Sequence, residues 1–204
     1  MITAQDIEQR RTADQLILFV GEVRERVESD RDELERARKG TGLYRTFIDE
    51  VIPLSQFAHL IYPSGASFQP VIGSQGFDVE VFDDAGRLID KVEIAKPYDG
   101  YAKARDYQLV EERGIGQTRV YDLGGQLDEL TSWITKTAND KSLKDYSDCT
   151  LVFVASTHPP YELELQKLEE RALELVGKLN EVTFKAKRTF LAVPALNKCY
   201  AIEG

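Results

Sequence analysis

The chain is poor in the side chains that most metal and nucleophile chemistry uses, with two cysteines and two histidines. Cys149 and Cys199 have neither the count nor the spacing of a disulfide framework or a zinc site. Each lies in an apolar, strand-like stretch, which fits free thiols in a reducing cytosol better than one long-range disulfide. His59 sits on a helix among apolar neighbours and His158 in a loop before Pro159-Pro160. With no serine or cysteine in a nucleophile elbow, these two unlinked histidines argue against a hydrolase triad. The glycines at 114, 116, 124 and 125 form no P-loop or dinucleotide fingerprint. No apolar run approaches the roughly 18 residues of a membrane span. The start, Met-Ile-Thr-Ala-Gln-Asp, lacks the basic and apolar regions of a secretion signal, so the expected location is the cytoplasm, with no membrane contact. Basic residues are also the minority, 26 against 35 acidic, and the net charge of −9 excludes a general nucleic-acid coating protein while leaving room for a local basic groove.

What is present is an ordinary globular composition: 204 residues, 42% hydrophobic and 30% charged, long enough for one domain with a real core. From Thr3 to about Lys39 there is no proline and one glycine, and Ile7, Leu16, Phe19, Val20, Val23, Val27 and Leu34 recur at mostly three- and four-residue steps. That pattern predicts one long amphipathic helix, whose mixed-charge outer face is either solvated or a surface for self-association or a protein partner. After Gly40-Thr41-Gly42 a second helix is expected over 44–61, kinked or divided at Pro53. A β-hairpin follows, with strands at 76–82 and 88–95 around Asp83-Asp84-Ala85-Gly86. Helices are expected over 101–113, 123–141 and 161–179, a short strand near 118–121, a fully buried strand over 149–155, and short strands at 182–186, 189–193 and 199–202. Trp133, between Leu130 and Ile134, reads as core. The order of elements predicts an α/β fold in which a central mixed sheet is covered by helices on both faces.

The hairpin is the informative part, because acids interrupt its apolar alternation. Strand period places Asp78 and Glu80 on one face of the first strand and Lys91 and Glu93 on one face of the second. If the turn is the four residues Asp83 to Gly86, Asp78 pairs with Lys91 and Gly76 with Glu93, and all four charged groups project together. Such a cluster suits a hard divalent cation, Mg²⁺ or Mn²⁺, which takes one or two carboxylates and keeps waters. A metal there can activate a water and stabilise charge on a phosphate under attack. The same residues also serve as cross-strand ion pairs on a solvent-facing sheet. Basic clusters lie at Arg87, Lys91, Lys96, Lys103 and Arg105 and at Lys185, Lys187 and Arg188.

Gly73-Ser74-Gln75-Gly76-Phe77-Asp78, the hairpin, and Lys91-Val92-Glu93-Ile94-Ala95-Lys96 before a helix resemble the core of the PD-(D/E)XK nuclease superfamily. Bacterial members with a Gln-Gly-Phe/Tyr-Asp stretch and a glutamate followed by Asp-Gly after the third strand are the nearest likeness. The resemblance spans about residues 43–155, with 1–42 as an N-terminal helical extension and 156–204 as a C-terminal helix and strands. It implies a restriction-endonuclease-like core and metal-dependent hydrolysis of phosphodiester bonds in DNA or RNA. Asp78 then matches the metal-binding aspartate, Glu93 the acid of the second motif, and Glu50 a helical acid that some members add as a ligand. The expected lysine, two residues after that acid, is replaced by Ala95. Lys91 and Lys103 are the substitutes considered, since the superfamily moves this lysine onto neighbouring elements; Lys96 is adjacent but belongs to the opposite strand face, and Gln75 lies on a segment within reach. Ala95 and the net charge support the alternative, a catalytically degenerate relative used as a binding or assembly module.

Overall fold

The computed structural model describes residues 1–73, 75–97, 112, 123–155 and 162–203. In chain order its elements are helix α1 (Ala4–Glu8), strand β1 (Arg11–Thr12), α2 (Ala13–Ser29), α3 (Arg31–Arg38), α4 (Leu43–Thr46), a π-helical turn (Phe47–Val51) and α5 (Ile52–Ile61). These are followed by β2 (Ser67–Pro70), β3 (Val79–Phe82), β4 (Leu88–Ala95), α6 (Leu123–Ser142), β5 (Asp145–Val154), α7 (Glu162–Asn180), β6 (Lys185–Val193) and β7 (Lys198–Ile202). The fold is α/β: one seven-stranded mixed sheet in the order β1 to β7, flanked by helices. Strands β1 to β4 are antiparallel neighbours, β4, β5 and β6 run parallel, and β7 returns antiparallel at the edge.

Strand β5, central among the parallel strands, is buried on both faces from Cys149 to Val154, as such strands generally are. In β5, Val152 and Val154 point into a core built with Leu16, Phe19, Val51, Leu54 and Phe57, while Leu151 and Phe153 point into a second core built with Ile134, Leu168, Leu175 and Leu179. The first core therefore lies under α2 and α5, and the second under α6 and α7.

The long N-terminal helix is divided. Residues 9 and 10 leave the helix, β1 joins the sheet, and α2 restarts behind Thr12, whose hydroxyl accepts the Gln15 N–H while the Gln15 side chain accepts the Thr12 N–H. Asp30 ends α2 with extended backbone and caps α3 by accepting the Asp32 and Glu33 N–H groups. Both breaks are capping events, in which a side-chain acceptor satisfies free helix donors. Strand β6 is continuous where two strands are expected, because Lys187 and Arg188 turn their cationic ends onto Asp90 without leaving the strand. Strands β1 and β2 were not foreseen; both are short, and β2 ends on a proline. The expected helix over 101–113 and strand near 118–121 lie outside the described residues, apart from residue 112.

The hairpin register also differs. Val79 pairs with Val92 and Glu80 with Lys91, and a bulge between Val81 and Phe82 precedes a turn in which Asp83 accepts from Gly86 and Arg87. Relative to the tight four-residue turn the strands are offset by an even number of positions. An even offset keeps every side chain on its expected face, whereas an odd one would have reversed them.

The other face of β4 carries a structural acid. Asp90 is buried and accepts hydrogen bonds from Tyr62 Oη (2.8 Å), Thr150 Oγ1 (2.7 Å), Arg188 (2.5 Å) and Lys187 Nζ (3.1 Å). Burial acts to raise this carboxyl, but the donors from Thr150, Arg188, Tyr62 and Lys187 outweigh it and hold the group below its ordinary value. These contacts tie β4, β5 and β6 to α5 through one side chain. Asp90→Ala is expected to cost about 3 kcal/mol in urea unfolding, since it leaves buried hydroxyls without an acceptor. Because the folded value is depressed, the contribution of Asp90 is present above about pH 4 and should be lost as the pH falls through its folded value, so wild type and variant should converge in acid.

Candidate functional site

Two features of the chain bring Asp78 to the end of the sheet. Gly73 and Gly76 adopt φ of 149° and 84°, the region that favours glycine, and so let the chain fold back before β3. Gln75 closes this loop, its side-chain amide donating to the Val71 and Phe77 carbonyls. Asp78 itself is held by backbone bonds on both sides, its N–H to the Val92 carbonyl at 2.8 Å and its carbonyl from the Val71 N–H at 2.9 Å. Its Oδ2 accepts the Ile94 N–H at 2.7 Å, which places the carboxylate beside Glu93.

The second wall comes from the π-helical turn. Pro53 has no N–H to give the carbonyl four residues back, and the preceding backbone widens so that Ile52 donates to Phe47, five residues back. Asp49 and Glu50 ride on this turn. They face a cleft of about 430 Å³ that is also lined by Arg45, Asp78, Glu93, Lys96 and Lys141.

Lys141, near the C-terminal end of α6, donates to Glu93 Oε1 in an ion pair whose two side chains are only 17% and 14% exposed. The Lys141 ammonium also lies over the Tyr146 ring at 5.4 Å. Burial alone would lower its pKa, and the bond to Glu93 reverses this and raises it, so the lysine is cationic at neutral pH. The acids are less well compensated. Burial, then the charges of Asp78, Asp49 and Glu93, push Glu50 up to about 8. Burial and the Glu93 charge push Asp78 up to about 6, against the opposing Ile94 N–H and Lys141.

Of the residues singled out in the sequence, Asp78, Glu93 and Glu50 meet in this cleft. Lys91 does not: it pairs with Asp148 at 2.8 Å, beside the Phe77 ring, so the lysine expected from the hairpin is engaged elsewhere. Lys103 lies outside the described residues. Gln75 serves the loop and does not line the cleft. Lys96 follows the end of β4, where strand alternation no longer dictates its direction; it lines the cleft and donates to the Ile48 carbonyl at 3.1 Å. Lys141 was the residue missed as a site candidate. Its helix is recognisably lysine-bearing, but linear spacing does not connect Lys141 with Glu93.

Among the described residues no three His, Cys, Asp or Glu side chains are grouped so as to hold a metal ion. A Mg²⁺ or Mn²⁺ ion that keeps most of its waters needs only one or two carboxylates. Asp78 and Glu93 each have one oxygen engaged, by the Ile94 N–H and by Lys141, and the second oxygen of each has no hydrogen bond among the described residues. That donor set, hard and underneutralised, fits such an ion. Cys149 and Cys199 are both free, and burial pushes their thiols up to about 12 and about 11, so neither is a ready thiolate ligand.

Comparisons with protein-family models, with curated proteins and with solved structures give no match.

The two raised acids set a pH dependence. Below their unfolded values, near pH 4, both are protonated in both states and cost nothing. As the pH rises through about 6 and about 8 the folded state must carry their charge, so this region loses stability toward alkaline pH. Without added metal, Glu50→Gln is expected to raise the melting temperature at about pH 8.5 by roughly 3 °C, equivalent to about 1 kcal/mol in a chain of this size, and to leave it nearly unchanged at or below about pH 4. Thermal unfolding followed by circular dichroism at both pH values checks this.

Proposed function

We propose that the protein is a PD-(D/E)XK-like nuclease with a restriction-endonuclease-like core, which hydrolyses phosphodiester bonds in DNA or RNA with Mg²⁺ or Mn²⁺. One observation carries the reading: carboxylates from the loop before β3, from β4 and from a π-helical turn share one cleft whose acids are underneutralised and whose paired lysine comes from a fourth element. Asp78 and Glu93 would hold the ion, with Glu50 as the third acid facing it. When bound, the ion supplies activation of a water and neutralisation of charge on the phosphate.

The chain's own groups do the rest. The Ile94 N–H fixes the rotamer of Asp78, and the Asp78 backbone, bonded to both neighbouring segments, prevents the carboxylate from drifting away from Glu93. Lys141 takes the place of the lysine that the motif lacks at Ala95. Its ammonium is cationic, largely enclosed and directed at Glu93, so it can orient the attacking water or meet negative charge gathering on the phosphate. Arg45, 72% exposed at the mouth of the cleft, and Lys96 at its wall offer positive charge to a phosphate backbone that the overall charge would otherwise repel.

A second reading has its own support. The Lys141–Glu93 ion pair and the Ile94–Asp78 hydrogen bond partly satisfy the acids without any ion, as a degenerate nuclease fold used for binding or assembly would require. Activity separates the two. Wild-type protein incubated with Mg²⁺ or Mn²⁺ and assorted single- and double-stranded DNA and RNA should cleave at least one of them. Asp78→Ala should abolish cleavage, and Lys141→Ala should lower its rate by at least about 10²-fold, the scale on which one positioned group acts. Metal-independent background, equal in all three proteins, would leave the binding module as the surviving reading.

A further inference from the structure

On the far side of the first core, α2 and α5 border a groove of about 590 Å³ that the proposed chemistry does not use. From α2 it is lined by Ile17, Val20, Gly21 and Arg24, at helical spacing of three and four residues. Ile17 is 50% exposed, and the next residue, Leu18, is 65% exposed. Gly21 stands in the interior of α2, where glycine is a poor choice, yet a Cβ there would meet nothing within 4 Å. Neither packing nor backbone geometry within the chain accounts for it. Among the described residues Arg24 makes no ion pair or hydrogen bond, and Gln56 Oε1, also on the groove, is buried and meets no donor.

Helix α7 carries a matching surface. Leu173 is 54% exposed, and among the described residues Gly177, in the helix interior, has nothing within 4 Å of an added Cβ and Glu170 accepts only the Gln166 side-chain amide. Read along α2 as Ile17, Gly21, Arg24, and backward along α7 as Gly177, Leu173, Glu170, the two rows have the same spacing. Each apolar knob then faces a glycine, and the unpartnered guanidinium faces a carboxylate.

We infer that α2 of one copy docks antiparallel on α7 of a second copy, with Ile17 over Gly177, Leu173 over Gly21, and Arg24 paired with Glu170. The two helices cover opposite faces of the sheet, so the contact is head-to-tail and builds rings or open chains, not a two-fold dimer. Two helical turns a side make an interface at or below the small end of specific contacts, so association should be weak.

Sedimentation velocity of the whole chain from about 1 µM to about 1 mM should show larger species growing with concentration, and fewer of them in about 0.5 M salt. Arg24→Glu or Glu170→Lys alone should weaken association by about five-fold or more, and the double variant should restore it. Gly21→Leu should abolish association while leaving the monomer folded by circular dichroism, since the substitution fills open space on an exposed helix. A chain that stays monomeric throughout overturns the inference and leaves the groove to a partner of other chemistry. Association indifferent to both charge reversals and to Gly21→Leu overturns it equally.

Discussion

A carboxylate taken out of water must be met by charge or by hydrogen-bond donors, and strand β4 meets this constraint in two ways. On one face Asp90 receives two cationic side chains and two hydroxyls, which hold its carboxyl below its ordinary value and knit three strands to α5. On the other, Glu93 is paired with Lys141, whose charge also acts on Asp78, and Asp78 and Glu50 are both pushed upward. Three residues apart on one strand, an acid that the fold completes stands beside a group of acids that it leaves short of positive charge. The first arrangement is architecture. The second gathers acids whose ionisation the fold compensates only in part, in an open cleft, a condition common at functional sites.

The fold supports this contrast through its irregularities. The π-helical turn forced by Pro53 presents Asp49 and Glu50, the glycines at 73 and 76 turn the chain into β3, and the end of β4 frees Lys96 from strand alternation. Regular elements supply the rigid part, with β5 buried between two cores. The site is thus assembled where the regular structure stops, at the end of the sheet, as the chemistry of exposed backbone turns allows.

The hairpin, the two helix-covered faces and the placement of Asp78 and Glu93 on one face of it were legible in the sequence, because strand alternation survives any even change of register, although the partners expected for Asp78 and Glu93 were not the ones found. The breaks in the first 40 residues were legible in principle: Thr12-x-x-Gln15 is a capping-box pattern and Asp30 a cap, but continuous apolar periodicity outweighed both. The unity of β6 was not legible, since Lys187 and Arg188 look like a polar interruption until Asp90 is seen across the sheet. Lys141 was legible only as one of three lysines, with Lys136 and Lys144, on a helix that resembles part of the superfamily core; its pairing with Glu93 was not. Its partner is far away in sequence, and only the path of α6 beside β4 brings the ammonium to the acid. Motif spacing records neighbours along a strand, whereas charge compensation is settled across elements.

Electrostatics also reconciles the acidic composition with the phosphate substrate we propose. A net charge of −9 repels polyanions at a distance, yet the cleft concentrates its acids where a divalent ion would neutralise them and sets Arg45, Lys96 and Lys141 around them. The central claim is therefore that this cleft binds one divalent cation through Asp78 and Glu93. Titration of the whole protein with Mn²⁺ at about pH 8, with free ion followed by electron paramagnetic resonance, tests it most directly. One saturable site is expected, for which Mg²⁺ competes and which Asp78→Asn removes; no saturable site, or the same site in Asp78→Asn, would rule the ion out of this cleft.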